Sequence, residues 1–339
     1  MRILVTADPE LPVPPVLYGG IERIIQLLID GLRSRGHIVG LAARPGSTVS
    51  TDRFFPWPGQ SSHGLTNACR NAFALKQAID SFQPELLHSF SRLLYLLPIL
   101  RRNIPKIMTY ERQPTAQSVH RASRWSQGTL SFTGCSDSVC RKGRPNGGDW
   151  TTVHNGVDLN LYHFQPTVPP DAPLVFLSRV ERIKGTHTAI AMARKANRPL
   201  IIAGNHGEAG EEKNYWEREI FPHVGKNGIS YVGPVNDAQK NELLGSAAAI
   251  LVPIEWEEPF GIVFAEALAC GTPVISCPRG ALPEIVRDGL EGYLVNTIDE
   301  GAAAIGRLDS IDRRACRHRA EEAFSADVMV ESYLRLYTR

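Results

Sequence analysis

Two glutamates eight positions apart, Glu258 and Glu266, bracket a Phe260-Gly261 turn in the stretch EPFGIVFAE. Residues 262–270 are apolar apart from Glu266, and Gly271-Thr272-Pro273 stops them, so the pattern predicts a short buried helix. A lone carboxylate in such a helix must be satisfied by a protein donor or by ligand hydroxyls, because an unpaired buried charge is costly. Glu258 falls just before the helix, at the rim of whatever pocket its N-terminus faces. The unpaired backbone N–H groups of Gly261, Ile262 and Val263 suit a phosphate. On the residues alone, a core helix with a satisfied glutamate and a solvated acidic loop (Glu255, Glu257, Glu258) fits as well.

Two cations, Arg179 and Lys184, follow the apolar run Leu174–Ser178 at a predicted strand-to-helix turn, near the carboxyl end of a strand where α/β sheets hold ligands. There they could neutralise a diphosphate, or simply cap a turn in solvent. The chain contains no Asp-x-Asp that would hold a metal-bound diphosphate instead. Tyr18-Gly19-Gly20, after the first strand, is a second place where backbone can approach a phosphate. Neither G-x-G-x-x-G nor a Walker sequence occurs, so hydride transfer and ATP hydrolysis lose their usual support. His88 ends an apolar run and reads either as a cleft residue or as a structural hydrogen-bonder. Six cysteines lack C-x2-C or His spacing, which predicts reduced structural thiols with neither zinc nor disulfides.

Short apolar strands alternating with amphipathic helices must position these groups, the pattern of α/β domains with parallel sheets. Strands are predicted at 2–7, 38–43, 85–89, 106–110 and 129–134, with a helix over 21–35. Further strands follow at 174–178, 199–203, 229–232, 249–253, 273–276 and 292–295. Pro-rich 165–173 has the composition of a linker. At 339 residues and 43% hydrophobic, the chain is long and apolar enough for two cores.

The net charge of +2 hides an asymmetry: residues 1–160 carry 18 Lys+Arg against 11 Asp+Glu, and 161–339 carry 19 against 24, giving +7 and −5. The basic excess at 92–144 could attract an anionic acceptor or an acidic membrane face, or be a solvated face. No aromatic interleaving points to nucleic acid. No apolar run reaches the roughly 20 residues of a spanning helix, and MRILVTADPE turns acidic too early for a signal peptide, so a cytoplasmic protein is expected.

Segment 249–295 resembles the signature of the family-4 retaining glycosyltransferases, with their Glu-x7-Glu motif at Glu258 and Glu266. YGGIE at 18–22, HNGVD at 154–158 and SRVERIKG at 178–185 lie where that family has them. The resemblance implies the GT-B form of the α/β class, two Rossmann-like domains with parallel sheets facing across a cleft. An acceptor-binding domain at 1–160 and a donor-binding domain at 161–325 would be followed by a helix in 326–339 packing back on the first. It implies metal-independent, retaining transfer of a hexose, glucose by preference, from a UDP-sugar to a sugar or lipid-linked acceptor in polysaccharide or glycoconjugate synthesis. Such a protein needs no cofactor and can work at the inner face of the membrane.

In this scheme Arg179 and Lys184 bind the diphosphate, with Gly19 and Gly20 opposite. Glu266 holds the ribose, and Glu258 contacts the transferred sugar with the N–H groups of Phe260 and Gly261. Ile262 and Val263 face the diphosphate, while the base lies near Val232, Gly233 and Pro234. His154, Asn155 and Asp158 would organise the crossing between domains. Many relatives have Thr-x-His after the fourth strand, whereas this chain has Thr109-Tyr110-Glu111. Glu111 is thus a further catalytic candidate, contacting sugar or acceptor, or else an unrelated loop carboxylate. A nucleotide-sugar-binding protein without turnover and a GT-B-like UDP-sugar epimerase stay open as alternatives.

Overall fold

The computed structural model describes residues 1–15 and 19–338; Tyr18 of the Tyr18-Gly19-Gly20 turn lies outside them. The chain divides into two compact units, Met1–Gly156 with Ala326–Arg339, and Val157–Ser325.

The first unit holds strands β1 (Arg2–Thr6), β2 (Ile38–Ala43), β3 (Arg53–Pro56), β4 (Leu86–Ser89), β5 (Lys106–Tyr110), β6 (Leu130–Gly134) and β7 (Trp150–Thr152). Helices α1 (Gly20–Ser34), α2 (Leu65–Phe82), α3 (Ala116–Trp125) and α4 (Asp137–Gly143) alternate with them. The second unit holds β8 (Leu174–Leu177), β9 (Leu200–Ala203), β10 (Ile229–Gly233), β11 (Ala249–Val252), β12 (Val274–Ser276) and β13 (Gly292–Leu294). Its helices are α5 (Thr186–Lys195), α6 (Gly210–Tyr215), α7 (Asp237–Ser246), α8 (Ile262–Ala269), α9 (Leu282–Ile285), α10 (Ile298–Ile305) and α11 (Arg313–Phe324). A last helix, α12 (Ala326–Tyr337), returns to the first unit.

Both sheets are parallel, in the orders β3-β2-β1-β4-β5-β6-β7 and β10-β9-β8-β11-β12-β13. Strand order therefore reverses between β1 and β4 in one and between β8 and β11 in the other. Loops leaving the carboxyl ends on either side of such a reversal diverge and open a crevice. Strands such as β1, β4, β8 and β11 are buried nearly throughout because helices cover both faces of a parallel sheet. The expected strands and the first helix are present within a residue or so. Edge strands β3 and β7 were not expected; they are short and only partly buried.

In α1, Ile24, Ile25, Leu28, Ile29 and Leu32 form the buried stripe. Helix α12 packs beside α1, and Arg35 reaches across to Asp327 at 3.0 Å and Glu331 at 2.8 Å. Beneath it a buried polar chain ties α12 to the sheet. His88 Nδ1 meets Tyr337 Oη at 2.6 Å, His88 Nε2 meets Thr109 Oγ1 at 2.7 Å, and Thr109 meets Thr133 at 2.6 Å. Burial pushes the His88 imidazole down to about 3, so it is neutral and one ring nitrogen donates while the other accepts. His88 is thereby a structural hydrogen-bonder.

The Pro-rich stretch is not a linker. The division falls at Gly156/Val157, and residues 165–173 are fastened within the second unit. Gln165 N donates to Cys270 O at 3.0 Å, Gln165 O accepts from Arg313 Nε at 2.7 Å, and Ala172 is buried. Proline there fixes an extended path, which tertiary hydrogen bonds then hold in place.

Candidate functional site

Lys184 and Glu258 lie on the loops that leave β8 and β11, the two strands at the reversal of the second sheet. Their side chains, only 11% and 10% exposed, meet with Nζ donating to Oε2 at 2.6 Å. Trp256 Nε1 donates to the same oxygen at 2.9 Å, and the ammonium sits 4.7 Å from the indole centroid. The indole thus touches both charges, as a donor to one and a π-face to the other. Glycine at position 185 makes this approach possible: its φ is +76°, and a Cβ there would stand 2.0 Å from Pro253 O.

Gly261, with φ +84°, ends the loop and caps α8. No side chain caps that N-terminus, so the first-turn N–H groups of Ile262 and Val263 are left for a ligand or solvent. Phe260 is buried edge-on against Phe324 at 5.7 Å, which fixes the entry to the helix.

Glu266 is buried but not alone. Tyr162 Oη donates to its Oε1 at 2.5 Å and Lys240 Nζ at 2.6 Å, with the ammonium 5.2 Å from the Tyr162 ring centroid. Of the two ways to satisfy this carboxylate, the structure supplies protein donors, which already offset the burial cost. Both donors use Oε1, as both donors to Glu258 use Oε2. Each carboxylate therefore keeps one oxygen without a hydrogen-bond partner among the described residues, available to a hydroxyl.

The other expected residues are more dispersed. Arg179 is half exposed and pairs with Glu181 at 2.5 Å rather than with Glu258. Val232 is exposed on β10, beside Gly233 with φ +78°. In the first unit Gly20 opens α1, and a Cβ on Gly19 would stand 2.7 Å from Glu22 Oε2.

Glu111 follows β5 at the carboxyl end of the first sheet, and Asn155 Nδ2 donates to its Oε2 at 2.7 Å. Glu111 Oε1 and Asn155 Oδ1 are both buried without a partner. Burial raises the Glu111 carboxyl to about 7, with the Asn155 hydrogen bond opposing. Asp8 and Glu22, also pushed up by burial, and Arg112 complete this charged group. Glu111 is thus no solvated loop carboxylate: it is held in place and changes charge near neutrality.

Sequence reasoning missed Trp256, Lys240 and Tyr162. Trp256 stands two residues before Glu258 and could have been read as part of the same loop. Lys240 and Tyr162 come from distant segments, and nothing local marks them. Among the described residues no group of three or more His, Cys, Asp or Glu could hold a metal ion.

Two parallel α/β units, the second with a buried Lys-Glu pair and an uncapped helix at its sheet reversal, have the GT-B fold. Residues 162–323 match the model described as glycosyl transferases group 1, and residues 18–161 match glycosyltransferase family 4. The chain belongs to the family-4 glycosyltransferases. Glycogen synthase of Mycobacterium tuberculosis (strain H37Rv) is 26% identical, over 95% of this chain and 89% of the relative. D-inositol 3-phosphate glycosyltransferase of Mycobacterium bovis (strain BCG / Pasteur 1173P2) is 30% identical over 54% of this chain and 43% of its own. Among solved structures, sucrose-phosphate synthase from Thermosynechococcus elongatus superposes with a TM-score of 0.80 at 20% identity, covering 99% of this chain and 98% of that one. Anabaena HepE, solved in complex with UDP and glucose, gives 0.76 at 17% identity, covering 100% and 99%.

Proposed function

We propose that this glycosyltransferase moves a hexose, glucose by preference, from a UDP-sugar to a sugar or lipid-linked acceptor, with retention of configuration and without a metal. The observation that carries the reading is the buried Lys184–Glu258 pair beside the uncapped N-terminus of α8. Before the donor arrives, each charge offsets the other's burial. A diphosphate gives Lys184 a second anionic partner, aided by the first-turn N–H groups and by Arg179 swinging from Glu181, and Glu258 turns its free oxygen to sugar hydroxyls. Positive charge at the leaving phosphate lowers the barrier to breaking the glycosidic bond. Retention then needs only front-face approach, the leaving phosphate oxygen taking the acceptor's proton, a scheme that rests on positioning more than on a dedicated base.

Glu266 Oε2 is suited to ribose hydroxyls, and the exposed edge at Val232 to the base. Uridine and glucose are favoured because HepE was solved with UDP and with UDP-glucose, and because glycogen synthase is a relative over most of its length. The first unit is assigned to the acceptor, with Gly19 and Gly20 turned toward the donor phosphates and Glu111 as the group whose charge changes near neutrality. The protein is placed in the cytoplasm, touching the inner face of the membrane through the basic first unit, in polysaccharide or glycoconjugate synthesis. Among the described residues no helix is long and apolar enough to cross a membrane.

The test is nucleotide release from UDP-, GDP- and ADP-sugars, with and without EDTA, because slow donor hydrolysis needs no knowledge of the acceptor. UDP release that is indifferent to EDTA and lost in Glu258→Gln is expected. Abolition by EDTA, or full activity in both Glu258→Gln and Glu266→Gln, would overturn the assignment.

A further inference from the structure

Within the first unit, three acids and an amide meet at the carboxyl end of the sheet, across the reversal between β1 and β4. Asp8 follows β1 and Glu22 stands in the first turn of α1, while Glu111 follows β5 on the other side. Two contacts join them. Asn155 Nδ2 donates to Glu111 Oε2 at 2.7 Å, and Arg112, next in the chain after Glu111, reaches Asp8 Oδ2 at 3.4 Å. The charge of Glu22 acts on Glu111 and that of Asp8 acts on Glu22, so the acids form one group. Three of its oxygens, Asp8 Oδ1, Glu111 Oε1 and Asn155 Oδ1, are out of water and without a donor among the described residues. Asn155 is 2% exposed and its amide lies against Glu111, which sets its orphaned carbonyl oxygen inside the group. The cation that acts on all three acids, Arg112, is 68% exposed, and its contact with Asp8 is long enough for the guanidinium to swing into solvent.

A buried acceptor with no donor is costly, and all three orphans here are acceptors. An ammonium brings three donors, no acceptor and one positive charge, which is what the group lacks. A phosphate or carboxylate would bring further acceptors and like charge, and a hydroxyl would bring a donor without charge. We propose that this group takes the ammonium of an amino sugar, so that the acceptor of the transfer reaction is an amine-bearing sugar. The preference is local and runs against the +7 charge of residues 1–160 as a whole. It rests on the assignment of the acceptor to the first unit and goes beyond it in naming the acceptor's chemical class.

Calorimetric titration of the full chain, with and without saturating UDP, tests it against glucosamine, 6-amino-6-deoxyglucose, glucose, N-acetylglucosamine and glucose 6-phosphate. At least one of the two amines should bind about tenfold or more tightly than glucose and N-acetylglucosamine, the difference between a charged and a neutral hydrogen bond, with glucose 6-phosphate weakest. At pH 6 its binding should release protons to the buffer, because an ammonium beside Glu111 draws off the proton that burial holds there. Asp8 and Glu22 shift in the same sense, Arg112 stays charged, and Cys135 and Tyr333, also within reach of Glu111, keep their protons. Glu111→Gln and Asp8→Asn keep the shapes and remove the charges, and each should cut the amine preference to about twofold or less. No amine binding, equal binding of amines and glucose, a preference for glucose 6-phosphate, or an amine preference intact in both variants would each overturn the proposal. The parent's ranking decides even where a variant fails to fold. UDP release from UDP-sugars without any amine preference would refute this inference and leave the transfer reaction. Amine binding by a chain that neither binds UDP nor releases it would refute the transfer reaction and leave the amine site.

Discussion

Lys184→Met should destabilise the second unit strongly, and the loss should be largely cancelled by Glu258→Gln in the same chain. The pair is about nine-tenths buried on both sides, and its 2.6 Å contact is supported by only one other donor to Glu258, the Trp256 indole. Removing either partner strands a charge in a poorly hydrated loop, which costs about 3–5 kcal/mol, whereas replacing both leaves a neutral amide bonded to the indole beside an apolar neighbour. The second unit spans 169 residues, Val157 to Ser325. At roughly 2–4 °C per kcal/mol for this size, each single variant should lower its melting temperature by about 6–20 °C. The double variant should fall well short of the sum, a coupling of at least about 2 kcal/mol. Calorimetry on all four chains measures this. UDP should raise the parent's melting temperature and have a much smaller effect on Lys184→Met. Additive single effects, or single shifts below about 2 °C, would mean that the two charges do not depend on one another and that the site has been misread.

Glu111 is raised from 4.5 to about 7, so between those values the folded chain holds a proton that the unfolded chain has lost, and stability should fall as pH rises through that window. Denaturation from pH 4 to 8 should show that fall, and Glu111→Gln should flatten it; an unchanged slope would refute the assignment. Tyr337→Phe strands His88 Nδ1 and should cost about 1–3 kcal/mol, seen as faster hydrogen exchange across α12. Gly185→Ala forces a Cβ against Pro253 O at positive φ and should lower donor affinity along with stability, by about 1–3 kcal/mol from backbone strain alone. Lys240→Met removes one of two donors from Glu266 and should weaken UDP binding more than it slows turnover at saturating donor.

The second sheet was legible because its inner strands β9, β8, β11 and β12 are compact apolar runs between turn residues, the signature of strands covered on both faces, and its edge strand β10 still carries Ile229 and Tyr231 at alternate positions. In the first sheet β3 and β7 escaped because an edge strand can be three or four residues long and half wet. Arg53-Phe54-Phe55-Pro56 carries a terminal proline, and Trp150-Thr151-Thr152 has one buried residue. At the candidate site the acids and the loop glycines could be read from spacing. Their partners could not: Lys240 and Tyr162 reach Glu266 from 26 and 104 residues away, through packing that no local pattern encodes. The Pro-rich stretch misled for the same reason, its composition being that of a linker while Arg313, far downstream, holds it down.

The return of α12 to the first unit also sets an order of events. A ribosome that has made residues 1–156 has made all seven strands of the first sheet but not the tyrosines that close over His88. The whole second unit must emerge before Tyr333 and Tyr337 exist. During that interval His88 keeps Thr109 on Nε2 but lacks the Tyr337 hydroxyl on Nδ1, and the face of α1 that α12 covers is open to water. The unit begun first is therefore finished last, and its sheet must wait, partly uncovered, through the synthesis of a complete second fold.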